Sequence, residues 1–321
     1  MASAPGKVVL SGEYAVLDGA PAICMAVNRR ARAVVDTTDS EFSSVESPTY
    51  TATIGRFQAS DGVLRWQEGQ QEFGVVDSVW RIAGHADKPS LAIKLDSSEF
   101  IDHDSGEKIG IGSSAAITVA LLAAMKNATE GSNIALLAQR AHADLQDGVG
   151  SGVDVACSLR GGLIEYRMEG AATVVLRWPD GLHARMVWTG RAAATREKLS
   201  LLDAVVSKPS RVRLAVASED IAAAWRVGNA GEILSNYHDY IDCLQDFSTD
   251  HDLGIFDAGH ADILHAANAD NLIYKPCGAG GGDVGIVLGT DDERLDTFTR
   301  RLNEKYRVLD WQLGDVGATV E

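Results

Sequence analysis

The stretch Lys108-Ile109-Gly110-Ile111-Gly112-Ser113-Ser114-Ala115-Ala116 runs straight into Ile117-Thr118-Val119-Ala120-Leu121-Leu122-Ala123-Ala124-Met125, and it constrains this chain more than any other segment. Small residues and hydroxyls come first, then an unbroken apolar helix former. A helix start carries N–H donors without intrahelical partners and a partial positive charge, so small residues ahead of it let an anion approach. The pattern reads as a phosphate cradle opening a buried helix, or as an ordinary cap and tight turn. Two further glycine-rich segments, near the two ends of the chain, tip the balance towards the cradle.

With 321 residues, 45% hydrophobic and 23% charged, the chain is long enough for two domains around a shared cleft. Its longest apolar run, Ala115 to Met125, is about half of the roughly 20 residues that a spanning helix needs. The amino terminus offers only Val8-Val9-Leu10 as an apolar core, so no signal peptide is expected and the cytoplasm is the expected location. A formal net charge of −16 disfavours nucleic acid and anionic membranes as partners. Small molecules are the expected partners, with monomer and homodimer both open. An anionic substrate then needs local cations, and Lys7, Lys88, Lys108, Arg140, Arg196, Lys198 and Lys275 are the candidates. Cys24, Cys157, Cys243 and Cys277 form no C-x-x-C pair and have no histidine at metal spacing, which argues against disulfides and structural zinc.

Along the chain, Ala4 to Ile23 reads as a strand, a glycine-bounded turn and a second apolar segment, and Ala26 to Asp36 as a strand. Polar residues from Thr37 to Gln71 suggest hairpins or a long excursion. A helix is expected over Phe73 to Ala83 and a strand over Ser90 to Leu95. A further helix is expected over Ile134 to Gln146, and strand-like runs follow at Gly161 to Tyr166, Ala172 to Trp178 and Ala184 to Thr189. The domain boundary is placed at Gly181, giving domains of 1–181 and 182–321. Helical pieces are expected at Thr195 to Val206, Glu219 to Arg226, Ala230 to Asp246 and Ile255 to Ala267, before the run from Ile273 to Leu288, a charged helix and a last strand. Asp154, after three glycines in Gly148-Val149-Gly150-Ser151-Gly152, reads as a helix cap or a catalytic carboxylate.

Several phosphate motifs are excluded. No G-x-x-x-x-G-K-[ST] occurs. Gly280, Gly282 and Gly285 satisfy G-x-G-x-x-G but lead into a β-branched strand, while Gly110, Gly112 and Ala115 open a helix without a clear strand before them. Protein-kinase signatures are absent.

Three ordered glycine-rich segments, at residues 4–19, 108–118 and 275–288, together resemble the three motifs of the GHMP kinase superfamily. Within it the chain is most similar to the phosphomevalonate kinase branch, through Gly12-Glu13-Tyr14-Ala15-Val16-Leu17, Ala141-His142 with Gln146 and Gly150 to Val155, Trp188-Thr189-Gly190, and Gly278 to Asp283. The resemblance implies an α+β fold of two domains, the first like domain 2 of ribosomal protein S5 and the second ferredoxin-like, with ATP between them.

It further implies that Lys108, Gly110, Gly112, Ser113, Ser114 and Ala115 hold the triphosphate, with Ser114 a ligand of Mg²⁺. Lys7 and Asp154 would then flank the transferred phosphoryl group. Tyr14, Ser151, Gly152, Arg196, Lys198, Gly280 and Gly281 are the substrate-binding residues it implies. ATP and Mg²⁺ are the implied cofactors, and phosphorylation of 5-phosphomevalonate to 5-diphosphomevalonate the implied reaction. Mevalonate kinase or another small-alcohol kinase of the superfamily is the nearest alternative, ahead of a decarboxylase or a silent sensor. Ala143 and Asp144 stand in the region where mevalonate kinases place a metal-binding glutamate, so no carboxylate ligand is assigned there.

Overall fold

The computed structural model describes residues 1–83, 89–125, 133–146, 148, 150–193, 198, 202, 208–303 and 305–321. Strand β1 (Ala2–Ser11) shows no in-out alternation, because all ten of its residues are buried. It pairs antiparallel with β2 (Ala22–Thr37) on one edge and with the chain's last strand, Thr319–Val320, on the other. One face, carrying Ala4, is covered by helices of the first half; the other, carrying Val8 and Leu10, packs against the second half. A strand buried on both faces reads as a continuous apolar run.

The first sheet continues through β3 (Ser43–Glu46), β4 (Gly55–Ser60), β5 (Val63–Glu68) and β6 (Leu91–Asp96). Between β4 and β5, Asp61 and Gly62 both have positive φ, the requirement of a two-residue hairpin turn. The polar stretch after Thr37 is therefore a strand and a hairpin at the sheet's far edge. Helix α1 (Gly74–Ala83), α2 (Ser113–Ala124), α3 (Ile134–Leu145) and α4 (Val153–Arg160) build the layer over β1 and β2, α2 lying innermost. The α3 start is capped by Asn133, whose side chain accepts from Ala135 and Leu136 N–H. Strands β7 (Leu163–Arg167) and β8 (Ala172–Leu176) form a hairpin attached to the beginning of β2.

The second half supplies an antiparallel sheet ordered β10-β11-β9-β12, from β9 (His183–Trp188), β10 (Ile273–Pro276), β11 (Val284–Gly289) and β12 (Arg307–Leu309). Around it lie α5 (Pro209–Val227), α6 (Ala230–Asp250), α7 (His260–Ala269) and α8 (Asp292–Leu302). Helix α5 begins ten residues before the expected Glu219, because Pro209 at its first turn starts it and exposed Val212 and Val216 hide its periodicity. The helix expected over Ile255 to Ala267 runs instead from His260 to Ala269, since Gly254, Ala258 and Gly259 take positive φ and turn the chain before it. The expected helix at Thr195 to Val206, and with it Arg196, lies mainly outside the described residues, as does Lys88. After β12 the chain returns to the first sheet as β13 (Thr319–Val320), where Thr319 Oγ1 bonds Ser3 Oγ at 3.0 Å. Among the described residues no helix is long and apolar enough to cross a membrane.

Candidate active site

β1 carries Lys7 to the floor of a cleft of about 270 Å³ between the two halves. The Lys7 backbone N–H donates to Ile111 carbonyl at 2.8 Å, which ties the strand to the loop ahead of α2. Gly112 caps that helix with φ +83°, and a Cβ there would lie 2.8 Å from Lys7 Cε and 2.9 Å from Cγ. Glycine is required for both reasons: the left-handed backbone and the lysine stem lying across the helix start. Among the described residues no side chain caps α2, so its first N–H groups are open beside Ser113 and Ser114, which line the cleft.

Gly152, also left-handed, starts α4, so Asp154 stands in the first turn rather than at the cap. Its Oδ1 is 3.1 Å from Lys7 Nζ. Burial would lower the Lys7 pKa, but attraction to Asp154 and the hydrogen bond between them outweigh it, and the ammonium is held above its usual value. Lys7 is therefore charged throughout the neutral range.

Tyr14 bridges the cleft. Its φ of +62° is strained for a non-glycine residue, and its hydroxyl donates to Ala279 carbonyl at 2.7 Å in the third glycine-rich segment. Beside it, Glu13 is buried and paired with Lys275 Nζ, itself fully buried on β10. Tyr240 on α6 donates to the other Glu13 oxygen at 2.6 Å and accepts from Gly12 N–H at 2.8 Å. The turn after β1 is thereby fastened to the second half by charge.

Asp283 closes the third side. A Cβ on Gly110 would lie 2.1 Å from Asp283 Cγ, so the second and third glycine-rich segments touch there. The Asp283 carboxylate accepts from Ala193 N–H at 3.0 Å; burial raises its pKa, partly offset by that bond, Lys7 and Lys198. Behind this loop, His260 Nε2 must donate to Gly282 carbonyl at 2.9 Å, which leaves Nδ1 to accept from Tyr274 hydroxyl at 2.7 Å. The histidine is a neutral brace, and burial pushes its pKa down to about 4.

A consequence for stability follows. The unfolded chain takes up this proton below about 6.5 and the folded one only below about 4. Stability is then complete above the first value and is lost as pH falls through the window, by up to about 3 kcal/mol. Urea titrations between about pH 7 and pH 5 should show this loss, and His260→Gln, which can still donate to Gly282, should flatten it. Equal pH slopes in both proteins would exclude the brace.

On the opposite wall Ser151 and Gln146 line the cleft, and Tyr166 hydroxyl donates to Ser151 carbonyl at 2.7 Å, holding the turn before α4. His142 is buried in the same wall, and among the described residues its Nε2 has no hydrogen-bond partner. Burial lowers its pKa, against the pull of Asp154, so it lines the site as a neutral imidazole.

The structure thus gathers Lys7, Tyr14, Gly110, Gly112, Ser113 and Ser114 with Ser151, Gly152 and Asp154 in one cleft. Other residues singled out in the sequence lie elsewhere. Ala115 is fully buried in the core. Lys108 is exposed, its Nζ 5.0 Å from the centre of the Tyr50 ring. Gly280 packs on Ile255, and Gly281 against Lys198, whose Nζ donates to Gly254 carbonyl at 3.0 Å. Lys275 neutralises Glu13 rather than facing the cleft. Asp144 is bound to Arg81 at 2.8 Å. The roles of Glu13 and His260 were not legible. Only the apolar flanks of Glu13 and Lys275 hinted that these two charges are buried.

An uncapped helix start, a fixed ammonium and a carboxylate in one cleft can hold a polyphosphate and stabilise a phosphoryl group in transfer. The profile of the GHMP kinases N terminal domain matches residues 75–162. A phosphomevalonate kinase of Streptomyces sp. strain CL190 is 31% identical over 358 aligned positions, covering 95% of this chain and 94% of its own length. A mevalonate kinase of Thermococcus gammatolerans is 25% identical, covering 91% of this chain and 90% of its own. The phosphomevalonate kinase of Streptococcus pneumoniae in complex with phosphomevalonate and AMPPNP shares the fold, with a TM-score of 0.79, 17% identity and coverage of 98% and 99%. The chain belongs to the GHMP kinases and is an ATP-dependent phosphotransferase with their α+β fold.

Proposed function

We propose that this kinase transfers the γ-phosphoryl group of ATP to 5-phosphomevalonate, giving 5-diphosphomevalonate and ADP, in the cytoplasm and on the mevalonate route to isoprenoids. The observation that carries the reading is the full-length relationship to a phosphomevalonate kinase, together with Lys7 paired to Asp154 beside the α2 start. The proposed division is an ATP-binding domain over 1–181 and a second domain over 182–321, the latter sending its last strand back to β1.

In this reading the N–H groups opening α2, with Gly110, Gly112 and Ser113, receive the triphosphate. The Ser114 hydroxyl and the Asp154 carboxylate are hard oxygen donors in the same cleft, which suits Mg²⁺ taking its remaining ligands from phosphate and water. Bound there, the metal would neutralise phosphate charge. Tyr14, Ser151 and Gly152 line the acceptor's space. Lys198 and Arg196 would add positive charge at its phosphate, Lys198 after releasing the Gly254 carbonyl.

A phosphomonoester with a second pKa near 6 is already ionised at neutral pH, so it needs little help from a base. Its difficulty is the meeting of two anions, which the Lys7 ammonium relieves. Asp154 then chiefly orients Lys7 and the metal. An alcohol acceptor would instead have to lose a proton, with Asp154 as base. That second reading, a mevalonate kinase, is favoured by the relationship to the Thermococcus gammatolerans enzyme.

The test is ADP release from Mg·ATP with 5-phosphomevalonate, mevalonate or no acceptor. Turnover is expected with 5-phosphomevalonate alone, and kcat/KM should fall on the acid side with an apparent pKa of about 6 set by the acceptor. Turnover with mevalonate alone would overturn the choice of acceptor while leaving the kinase intact.

A further inference from the structure

Strand β8 pairs with β7 alone, and among the described residues no backbone hydrogen bond satisfies its outer edge. Its sequence, Ala172-Thr173-Val174-Val175-Leu176, has no charge and no proline, and its ladder has no bulge. Those are the devices that normally guard a free edge. Val174 and Val175 are each 53% exposed, and Met168 in the preceding turn is 41% exposed. An unguarded apolar edge in water invites pairing with another strand.

The two ends of this edge differ in charge. Glu169 stands exposed in the turn before β8, and Arg177 stands exposed immediately after it. Arg167, opposite Ala172, does not neutralise Glu169, because it is held by Glu219 at 2.6 Å and by Glu165 at 3.6 Å. At the Arg177 end a groove of about 400 Å³ is lined by Leu176, Trp178 and Leu313 together with the charged Arg160, Arg177 and Asp315.

We propose that β8 is the interface of a homodimer, in which two copies of this chain join β8 to β8 antiparallel about a two-fold axis. An antiparallel arrangement sets each Arg177 end against the partner's Glu169 end, whereas a parallel one would set like charge against like. The same arrangement brings the exposed Met168 turn of each copy to the groove beside Leu176 and Trp178 of the other. A two-fold contact of this kind is self-complementary and closes without leaving an edge open. Copies carrying −16 each repel at long range, so only a short-range apolar and hydrogen-bonded contact can hold them together. The cleft contains no residue of β8, so turnover per chain does not depend on the contact.

Sedimentation of the whole chain tests this. The wild type should be a dimer at about 100 µM, and Val174→Lys, a charge on an exposed edge position, should raise the dissociation constant at least about 30-fold with turnover per chain unchanged. Arg177→Glu alone should weaken the dimer, and Glu169→Arg combined with Arg177→Glu should restore it to within about threefold. A wild type that stays monomeric at that concentration, or a dimer that Val174→Lys leaves intact, overturns the proposal. A double variant no stronger than Arg177→Glu overturns the antiparallel pairing.

Discussion

Replacing Lys7 with methionine is expected to lower kcat about a thousandfold while leaving the KM for ATP within a few-fold of wild type. The reasoning rests on what methionine keeps and what it removes. Its unbranched stem can still lie across Gly112, where a Cβ would come within 2.8 Å of the lysine chain, so the start of α2 keeps its place. Only the ammonium is lost, and with it the cation 3.1 Å from Asp154 at the point where phosphoryl charge would gather. Stability should fall by about 1–2 kcal/mol, since the buried pair loses one partner while Asp154, 29% exposed, keeps part of its hydration. Lys7→Arg should not rescue, because a planar, delocalised guanidinium does not reproduce the compact charge of the ammonium. Steady-state kinetics with Mg·ATP measures all of this, and near-normal turnover in Lys7→Met would remove the ammonium from the proposed mechanism.

The largest stability effect is expected at the Glu13–Lys275 pair, which lies at 2% and 0% side-chain exposure. Lys275→Met leaves a buried carboxylate with Tyr240 as its remaining partner and should destabilise the protein by about 4 kcal/mol in urea titrations. Glu13→Gln combined with Lys275→Met removes both charges and should recover most of that loss, because the buried pair itself returns little over neutral groups of similar size. Catalysis should suffer more than stability in the double variant. The turn that Glu13 anchors also carries Tyr14, whose hydroxyl reaches Ala279 across the cleft. A loss below about 1 kcal/mol in Lys275→Met would mean that this pair contributes little to holding the two halves together.

Local patterns showed much of this in advance. The α2 segment was legible because its glycines, serines and long apolar run are contiguous, and α3 because its apolar residues recur at helical spacing, although the buried face runs through Ala138, Ala141 and His142 and leaves Leu136 exposed. Helix α5 was legible only in part. Its solvent face carries valines, so periodicity understated it. The start of α7 was misplaced because apolar Ile255 and Phe256 precede a turn made by residues with positive φ.

The sequence by itself determined that glycines and serines open a buried helix, a property of adjacent residues and of backbone stereochemistry. That the three glycine-rich segments belong together, and that Lys7 and Asp154 are neighbours, came from the resemblance to the GHMP kinases. Tertiary structure alone decided which charges reach the cleft. Lys275 and Lys7 both sit on apolar strands, yet one neutralises Glu13 and the other faces Asp154. Asp283 meets Gly110 across more than half the chain, and His260 braces a loop 22 residues away. Whether a buried charge is a brace or a reagent depends on the partner that folding brings to it, because burial is tolerated only where an opposite charge or a hydrogen bond arrives with it.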